Sequence, residues 1–411
     1  MVELMAPAGS FESLMAALHA GADSVYLGID QLNMRARATM NFQLGDLPEI
    51  VRRVHGAGKR VYITLNTILY DHDLRRMRQI VDRAHEQGVD AIIASDPAVM
   101  LYCKEVGMPV HISTQCNVSN IESLAFYSAY ADVVVLAREL TLKQVRAIAD
   151  EIRRRELRGP SGELVRLEIF AHGALCMAIS GKCYLSLHSH NASANRGACI
   201  QNCRRAYHVV DEDGNELRIE NEYIMSPKDL CTIDFLDQIV EAGVQVIKIE
   251  GRGRSPDYVD VVVRCYREAI DALAEGTYTP ERVRQWMDRL RTVYNRGFWD
   301  GYYLGRKLGE WSKVYGSQAT RRKIFLGKGV HYFNKISVGE FSIHNDRLEV
   351  GDQVLITGPT TGVVWAKVEE LRVDDKPVQI ARKGDLCSFK VPCKIRPSDK
   401  LYKIVHASTV S

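Results

Sequence analysis

The 411-residue chain contains no apolar run approaching the roughly 20 residues that a membrane helix needs, so a helical membrane protein is excluded. Its opening, Met1-Val-Glu-Leu-Met-Ala-Pro-Ala-Gly9, lacks a basic stretch followed by an apolar one. No secretory signal is expected there, no membrane is expected as a partner, and the cytoplasm is the default compartment. No Gly-rich phosphate fingerprint follows a strand, which argues against an open nucleotide-binding sheet. There is no His-Glu-x-x-His helix and no Ser nucleophile elbow, so neither a metallopeptidase nor a serine hydrolase is indicated. Acidic residues are missing altogether from His172 to Val210, a segment that carries Lys182, Arg196, Arg204 and Arg205.

What is present starts from an ordinary soluble composition, 46% apolar and 26% charged, long enough for two domains. The net charge of +3 is uneven: residues 321–411 hold 16 Lys and Arg against 10 Asp and Glu, and the remainder 38 against 41. An anionic partner suits both this C-terminal excess and the acid-free segment.

Along the first 250 residues a helix, a Gly or small-residue break and a β-branched strand recur, as in Glu86-Gln-Gly-Val-Asp before Ala91-Ile-Ile-Ala-Ser. Strands are expected at about 3–7, 24–28, 60–65, 91–95, 109–113, 132–137, 166–171 and 244–249. Eight alternating units imply an α/β fold, a closed (β/α)8 TIM-like barrel. The domains then divide as a barrel over 1–275 with a Cys-rich insertion at 174–231, a helical extension and linker over 276–322, and a small all-β barrel over 323–411. The last is marked by alternating strands and turn signals such as Asn345-Asp and Lys383-Gly-Asp.

In such a barrel the active site forms at the C-terminal strand ends. These carry Arg35 and Arg37, Asn66, Gln115, Arg138, Glu168 and His172, Lys248 and Glu250, then Arg252. Alternation places Glu168, Phe170 and His172 on one face of their strand, and Lys248 and Glu250 on one face of theirs, with apolar residues on the opposite faces. Charge inside a barrel must be paired, and Lys248 with Glu168 or Glu250 is the expected pairing. Glu168, His172, Lys248 and Glu250 are the catalytic candidates. Arg35, Arg37, Arg138 and Arg252, with Asn66 and Gln115, are the candidates for binding a small di-anionic ligand through bidentate guanidinium contacts, unless Glu139 and Glu250 consume them.

Five of the ten cysteines fall between 176 and 231, spaced C-x6-C-x15-C-x3-C-x27-C. In a reducing compartment this points to metal ligation. Only Cys199 and Cys203 approach the paired knuckle of a structural zinc site, so the wide spacing favours an iron–sulfur cluster, with zinc and free thiols as alternatives. Cys176, Cys183, Cys199 and Cys231 are the preferred ligands and Cys203 the alternate. Cys103, Cys265, Cys387 and Cys393 are expected to be buried apolar residues; Cys116 follows the fifth strand.

The run from Glu168-Ile-Phe-Ala-His-Gly-Ala-Leu-Cys176 through Ser180-Gly-Lys-Cys183 resembles the signature of the peptidase U32, or collagenase-like protease, family. So do Glu3-Leu-Met-Ala-Pro-Ala-Gly-Ser-Phe-Glu12, His111-Ile-Ser-Thr-Gln115, Arg196-Gly-Ala-Cys-Ile-Gln-Asn-Cys-Arg204 and Lys248-Ile-Glu-Gly-Arg252. The resemblance covers nearly the whole chain. It implies a C-terminal barrel akin to the second domain of elongation factors. Its name implies proteolysis, with Cys176 and His172 as the one candidate pair. The chain is most similar to the branch of hydroxylation proteins that makes 5-hydroxyuridine at the tRNA wobble position. That similarity implies prephenate dependence, a 4Fe–4S cluster on four cysteines, and tRNA as partner. The basic C-terminal barrel, entered at Arg321, Arg322 and Lys323, is its expected contact.

Overall fold

The computed structural model describes residues 2–37, 41–206, 225–305, 310–312 and 316–407. Nine strands come first: β1 Glu3–Pro7, β2 Ser24–Gly28, β3 Arg60–Leu65, β4 Ala91–Ala94, β5 Val110–Ile112, β6 Val133–Val135, β7 Arg166–Gly173, β8 Asp229–Cys231 and β9 Val246–Ile249. β1 through β7 run parallel in sequence order, and β9 pairs in parallel with both β7 and β1. The sheet is therefore a closed eight-stranded barrel. Its eight staves are the eight strands that alternation marks in the sequence. Helices α1 Phe11–His19, α2 Leu47–Gly56, α3 Leu74–Glu86, α4 Pro97–Val106, α5 Ile121–Ser128 and α6 Leu142–Arg155 link the staves.

Local chemistry sets these helices. Ser10, Asp96, Asn120 and Thr141 each accept a backbone N–H at an N-terminus, and Pro97 stands in the first turn of α4. Apolar stripes such as Met77, Ile80, Val81 and Ala84 of α3 face the barrel wall. Leu4, Val25, Val61, Ile92 and Ile247 point outward into that main core. The alternate residues Met5, Tyr26, Tyr62, Ala91, Ile93, Val133 and Val246 form a separate small cluster inside the barrel. Burying both strand faces is what makes the staves read as near-continuous apolar runs.

The stretch after β7 departs from the regular pattern. The short helix α7 Leu185–His190 and three-residue turns at 194–196 and 202–204 carry the cysteine segment. β8 then pairs antiparallel with the end of β7, outside the barrel, and β10 (Phe298–Trp299) pairs beside β8. Helices α8 Leu236–Glu241, α9 Pro256–Ala274 and α10 Pro280–Leu290 complete the barrel region.

The expected all-β region starts at Arg321, two residues earlier than composition suggests. Its strands are β11 Arg321–Phe333, β12 Val338–Ile343, β13 Arg347–Glu349, β14 Gln353–Gly358, β15 Gly362–Lys367, β16 Leu371–Val373, β17 Lys376–Val378, β18 Ile380–Arg382, β19 Leu386–Lys390 and β20 Lys400–His406. Eight form an antiparallel sheet in the order β15-β14-β20-β11-β12-β19-β16-β17, and β13 pairs with β18. They enclose a core of their own, including Leu326, Phe341, Leu348, Ile356, Phe389 and Leu401. Of the four cysteines expected to be buried apolar residues, Cys103, Cys265 and Cys387 are. Cys393 is exposed in the turn after β19, between Val391 and Ile395, which do enter that core.

This sheet is docked on α1 and α9. Leu355 and Val363 join the barrel's core, and the Trp365 indole donates to Asp260 Oδ2 at 3.0 Å. Lys323 Nζ lies 2.5 Å from Asp257 Oδ1, so this residue of the expected RNA entrance is engaged in docking. Asp260 is buried and also accepts from Arg264 Nε at 2.7 Å. Replacing Asp260 by Ala leaves the indole N–H without its acceptor and should cost about 1–3 kcal/mol. A urea-denaturation midpoint unchanged in Asp260→Ala would show that this contact does not hold the sheet to the barrel.

Candidate active site

A cavity of about 220 Å³ opens at the C-terminal ends of the staves. Its walls come from the loop after β2 (Met34, Arg35), from Thr64 of β3 and Asn66 just after it, Ser113 to Gln115 after β5, Arg138 after β6, Phe170 of β7, Lys248 of β9 and residues 250–254 beyond it. The cysteine segment forms the outer wall.

The floor is ionic. Lys248 Nζ donates to Glu168 Oε1 at 2.7 Å and lies 4.5 Å from the centre of the Tyr26 ring. Both charged residues are buried, and burial, opposed by Lys248, raises the Glu168 carboxyl above its ordinary range. The other carboxylate oxygen, Oε2, has no hydrogen-bond partner and lies 3.9 Å from His111 Nδ1, which has none either. Burial and then Lys248 hold His111 well below the usual histidine range. His111 was not among the sequence's site candidates, although it opens one of the family-like motifs.

Above this floor Arg35 grips Glu250, Nη2 to Oε1 at 2.5 Å. Burial would raise the Glu250 carboxyl, but Arg35, then Arg252 and Arg138, outweigh it and hold it at about 2. The buried Arg252 donates to Asn33 Oδ1 at 3.0 Å and Thr64 Oγ1 at 2.7 Å. Burial pulls its guanidinium down to about 10, still protonated at neutral pH. Arg138 donates to the Ala174 carbonyl at 3.0 Å and lies over the Phe170 ring at 4.0 Å. Asn66 Nδ2 donates to Ser113 Oγ at 3.2 Å.

Three further arginines, Arg204, Arg254 and Arg296, line the cavity without having been candidates. The available signals were adjacency, Arg204 to Cys203 and Arg254 to Arg252. Arg204 donates to the Leu175 and Pro227 carbonyls at 2.5 and 2.6 Å, tying the cysteine segment together. Arg254 stacks on Tyr294 at 3.6 Å, and Arg296 pairs with Asp229 at 3.3 Å. Among the described residues seven cations thus line a cavity with one carboxylate, Glu250. Four of them, Arg138, Arg204, Arg252 and Arg254, are held by carbonyls, amides, hydroxyls or rings. The chemistry of such a lining suits an anion.

Four thiols line the same cavity: Cys176, Cys183, Cys199 and Cys203. Burial raises the Cys203 thiol, Arg204 opposes this, and Cys176, Cys199 and Cys183 add to it, so these three sit within electrostatic range of Cys203. Among the described residues no three His, Cys, Asp or Glu side chains are gathered tightly enough to hold a single metal ion.

Three candidates lie elsewhere. Cys231 is buried on β8, its Sγ 3.7 Å from Met287 Sδ and 4.0 Å from Tyr266 Oη, and burial pushes its thiol up to about 12. The cavity therefore takes Cys203 in place of Cys231, because β8 turns back along the outside of β7. His172 is the second correction. Phe170 pairs with Lys248 but His172 with Ile249, so Ala171 is an extra residue in a β-bulge. The bulge breaks the alternation and turns His172 outward with Ile249, among the rings of Tyr258, Tyr266 and Phe298. Burial and then Arg254 push its pKa down to about 3. Arg37 is the third: it is exposed on the loop after β2 and does not reach the cavity lining. Glu168 lies one layer below the lining, and Arg35, Asn66, Gln115, Arg138, Lys248, Glu250 and Arg252 all meet there.

A parallel barrel with a charged, thiol-bearing cavity over its C-terminal end is the architecture of an α/β-barrel enzyme. The match is specific: residues 9–313 fit the model for peptidase family U32, and the chain belongs to that family. A protein of Porphyromonas gingivalis named "Collagenase" is 58% identical over 98% of this chain and 97% of its own length. The tRNA hydroxylation protein P1 of Bacillus subtilis is 31% identical over 98% of this chain and 94% of its own. The 23S rRNA 5-hydroxycytidine C2501 synthase of Escherichia coli is 36% identical, over 67% of this chain and 40% of that protein. Among the described residues no helix is long and apolar enough to cross a membrane.

The Arg35–Glu250 pair has a pH signature. The carboxyl is depressed in the folded protein to about 2, against an unfolded value of about 4.3. Its contribution is therefore fully present above about pH 4.5 and lost as pH falls toward 2. Urea midpoints measured from pH 5 to pH 2 should fall more steeply for the wild type than for Glu250→Gln. Parallel profiles would contradict the pairing.

Proposed function

We propose that this chain is an RNA-modifying enzyme that hydroxylates the wobble uridine of tRNA. The observation that carries the reading is one cavity that joins four thiols to an excess of guanidinium groups. Cys176, Cys183, Cys199 and Cys203 are the residues that would hold a 4Fe–4S cluster. The donor set fits: it is all thiol, and Glu250, the one carboxylate of the lining among the described residues, is taken by Arg35. A cluster also spaces its thiolates more widely than a single ion does, and its negative charge answers the arginines. When bound, the cluster supplies one-electron chemistry.

The chain's own residues bind and orient. Arg138 and Arg252, fixed by neutral partners, are free to take carboxylates, which suits a small dianion such as prephenate. Lys248 is the one ammonium of the lining among the described residues and can hold or release a proton at Nζ. Glu168 positions it from below, and a buried Lys–Glu pair at a cavity floor is an acid–base candidate. The apolar rim, with Met177 and Ile179 exposed at the mouth and Tyr184 exposed on the same segment, suits a flipped base more than a solvated small substrate. The RNA-hydroxylation names of the relatives at 31 and 36% identity support the reading.

A second reading, peptidase activity, is favoured by the collagenase name of the relative at 58% identity, and by name alone the comparisons lean that way. The geometry leans the other way. Among the described residues no histidine lines the cavity, and His172 faces away from it, so none of them gives Cys176 an imidazole base there.

Anaerobic purification with iron and sulfide analysis separates the readings. Wild-type and Cys231→Ala protein should carry iron and sulfide, whereas Cys203→Ala should lose them. Iron-free wild-type protein that cleaves gelatin, with cleavage abolished in Cys176→Ala, would overturn the hydroxylation reading in favour of the peptidase.

A further inference from the structure

The C-terminal sheet presents an outer face whose composition is unlike that of a merely solvated surface. Cross-strand partners share a face, so the pairings define it as three rows. Phe333, Val338 and Lys390 form the first, and His331, Glu340, Ser388 and Arg372 the second. Lys400, Lys328, Ser342 and Leu386 form the third.

The two aromatic residues are there because of a β-bulge. The register between β11 and β12 shifts between Gly329 and His331, leaving Val330 as the extra residue. Without the shift His331 and Phe333 would share the core-facing side with Gly329. With it they join Lys328 on the outer side, and Tyr332 turns toward the core instead. The His331 and Phe333 rings meet edge to face, with centroids 4.6 Å apart, and Phe333 is 40% exposed. Leu386 at 43% and, in the adjoining turn, Ile336 at 60% extend the exposed apolar area.

Charge surrounds these rings. Among the described residues Lys328, Lys390 and Lys400 make no ion pair, and Glu340 is the one carboxylate on the three rows. Lys328 and Lys400 stand directly opposite each other, an arrangement that costs stability in the free protein. A sheet face with a central aromatic pair and unpaired ammonium groups on both sides matches the needs of unpaired RNA. Bases stack on rings, and phosphates meet the lysines. The same face continues along β20 to Tyr402 and Ile404, which pack against the barrel's core, so a strand lying on it is led to the barrel.

We infer that this face is the RNA-docking surface of the chain, with His331 and Phe333 as the stacking platform and Lys328, Lys390 and Lys400 as phosphate contacts. The inference rests on the RNA-modification reading and adds to it the surface and the binding mode.

The test uses the full chain and bulk bacterial tRNA, with fluorescence anisotropy at several salt concentrations. Phe333→Ala should weaken binding about tenfold at fixed salt. The Lys328→Ala/Lys390→Ala double variant should flatten the plot of log affinity against log salt by about 1.5. Ultraviolet crosslinking of wild-type protein to tRNA should map to residues within 328–342, which keeps the test open if a variant fails to fold. Wild-type binding that both variants retain in full, with crosslinks elsewhere, would overturn the surface while leaving RNA as substrate. Absence of wild-type tRNA binding at low salt would overturn the surface and the RNA reading together.

Discussion

The barrel of this protein is organised around buried charge that its own carboxylates do not balance. Most barrel interiors are filled with layers of branched apolar side chains. Here ionic groups share the interior with a small apolar cluster: Glu3 with Arg60 and Arg166 at one end, Lys248 with Glu168 in the middle, and Arg35, Glu250 and Arg252 at the other. The first end is closed by matched partners, Tyr62 and Ser24 included. The other end is open and has cations to spare. Burying guanidinium groups on carbonyls and rings is costly unless something anionic arrives. The cysteine segment, without a single acid from His172 to Val210, roofs this end and adds four thiols. Cationic walls and a thiol roof are complementary, since thiolates, or the cluster and dianion proposed above, would stabilise the same arginines.

The barrel was legible in the sequence because both strand faces are buried and the breaks between helix and strand are regular. Alternation also found the inward set at β9, where Lys248 and Glu250 line the cavity. It failed at His172 for a physical reason. One extra residue at Ala171 reverses every later side chain, and nothing in Phe170-Ala-His-Gly marks that bulge. The choice between Cys203 and Cys231 was beyond spacing for a similar reason. Both follow at workable intervals, but Cys231 lies on a short strand that folds back outside the barrel, a tertiary event. Arg37 follows the end of the second strand as Arg35 does, yet on the loop after β2 it is exposed and outside the lining.

The same kind of bulge acts twice with opposite consequences. In β7 it withdraws a histidine from the cavity and buries it, neutral, among aromatic rings. In β11 it brings His331 and Phe333 out of the core side onto an open, lysine-flanked face. In both places one inserted residue decides whether a titratable or stacking group is structural or available. Family membership places collagenase and RNA-hydroxylation names side by side. Which chemistry a chain of this fold performs depends on what its cavity holds, and here, among the described residues, it holds thiols and arginines with no imidazole beside them.

Nucleoside mass spectrometry of tRNA from the source organism, with and without the gene, tests the account most directly. The account requires that 5-hydroxyuridine-derived wobble nucleosides disappear in the deletion strain, return with the wild-type gene, and fail to return with Lys248→Met. An unaltered nucleoside profile in the deletion strain would contradict it.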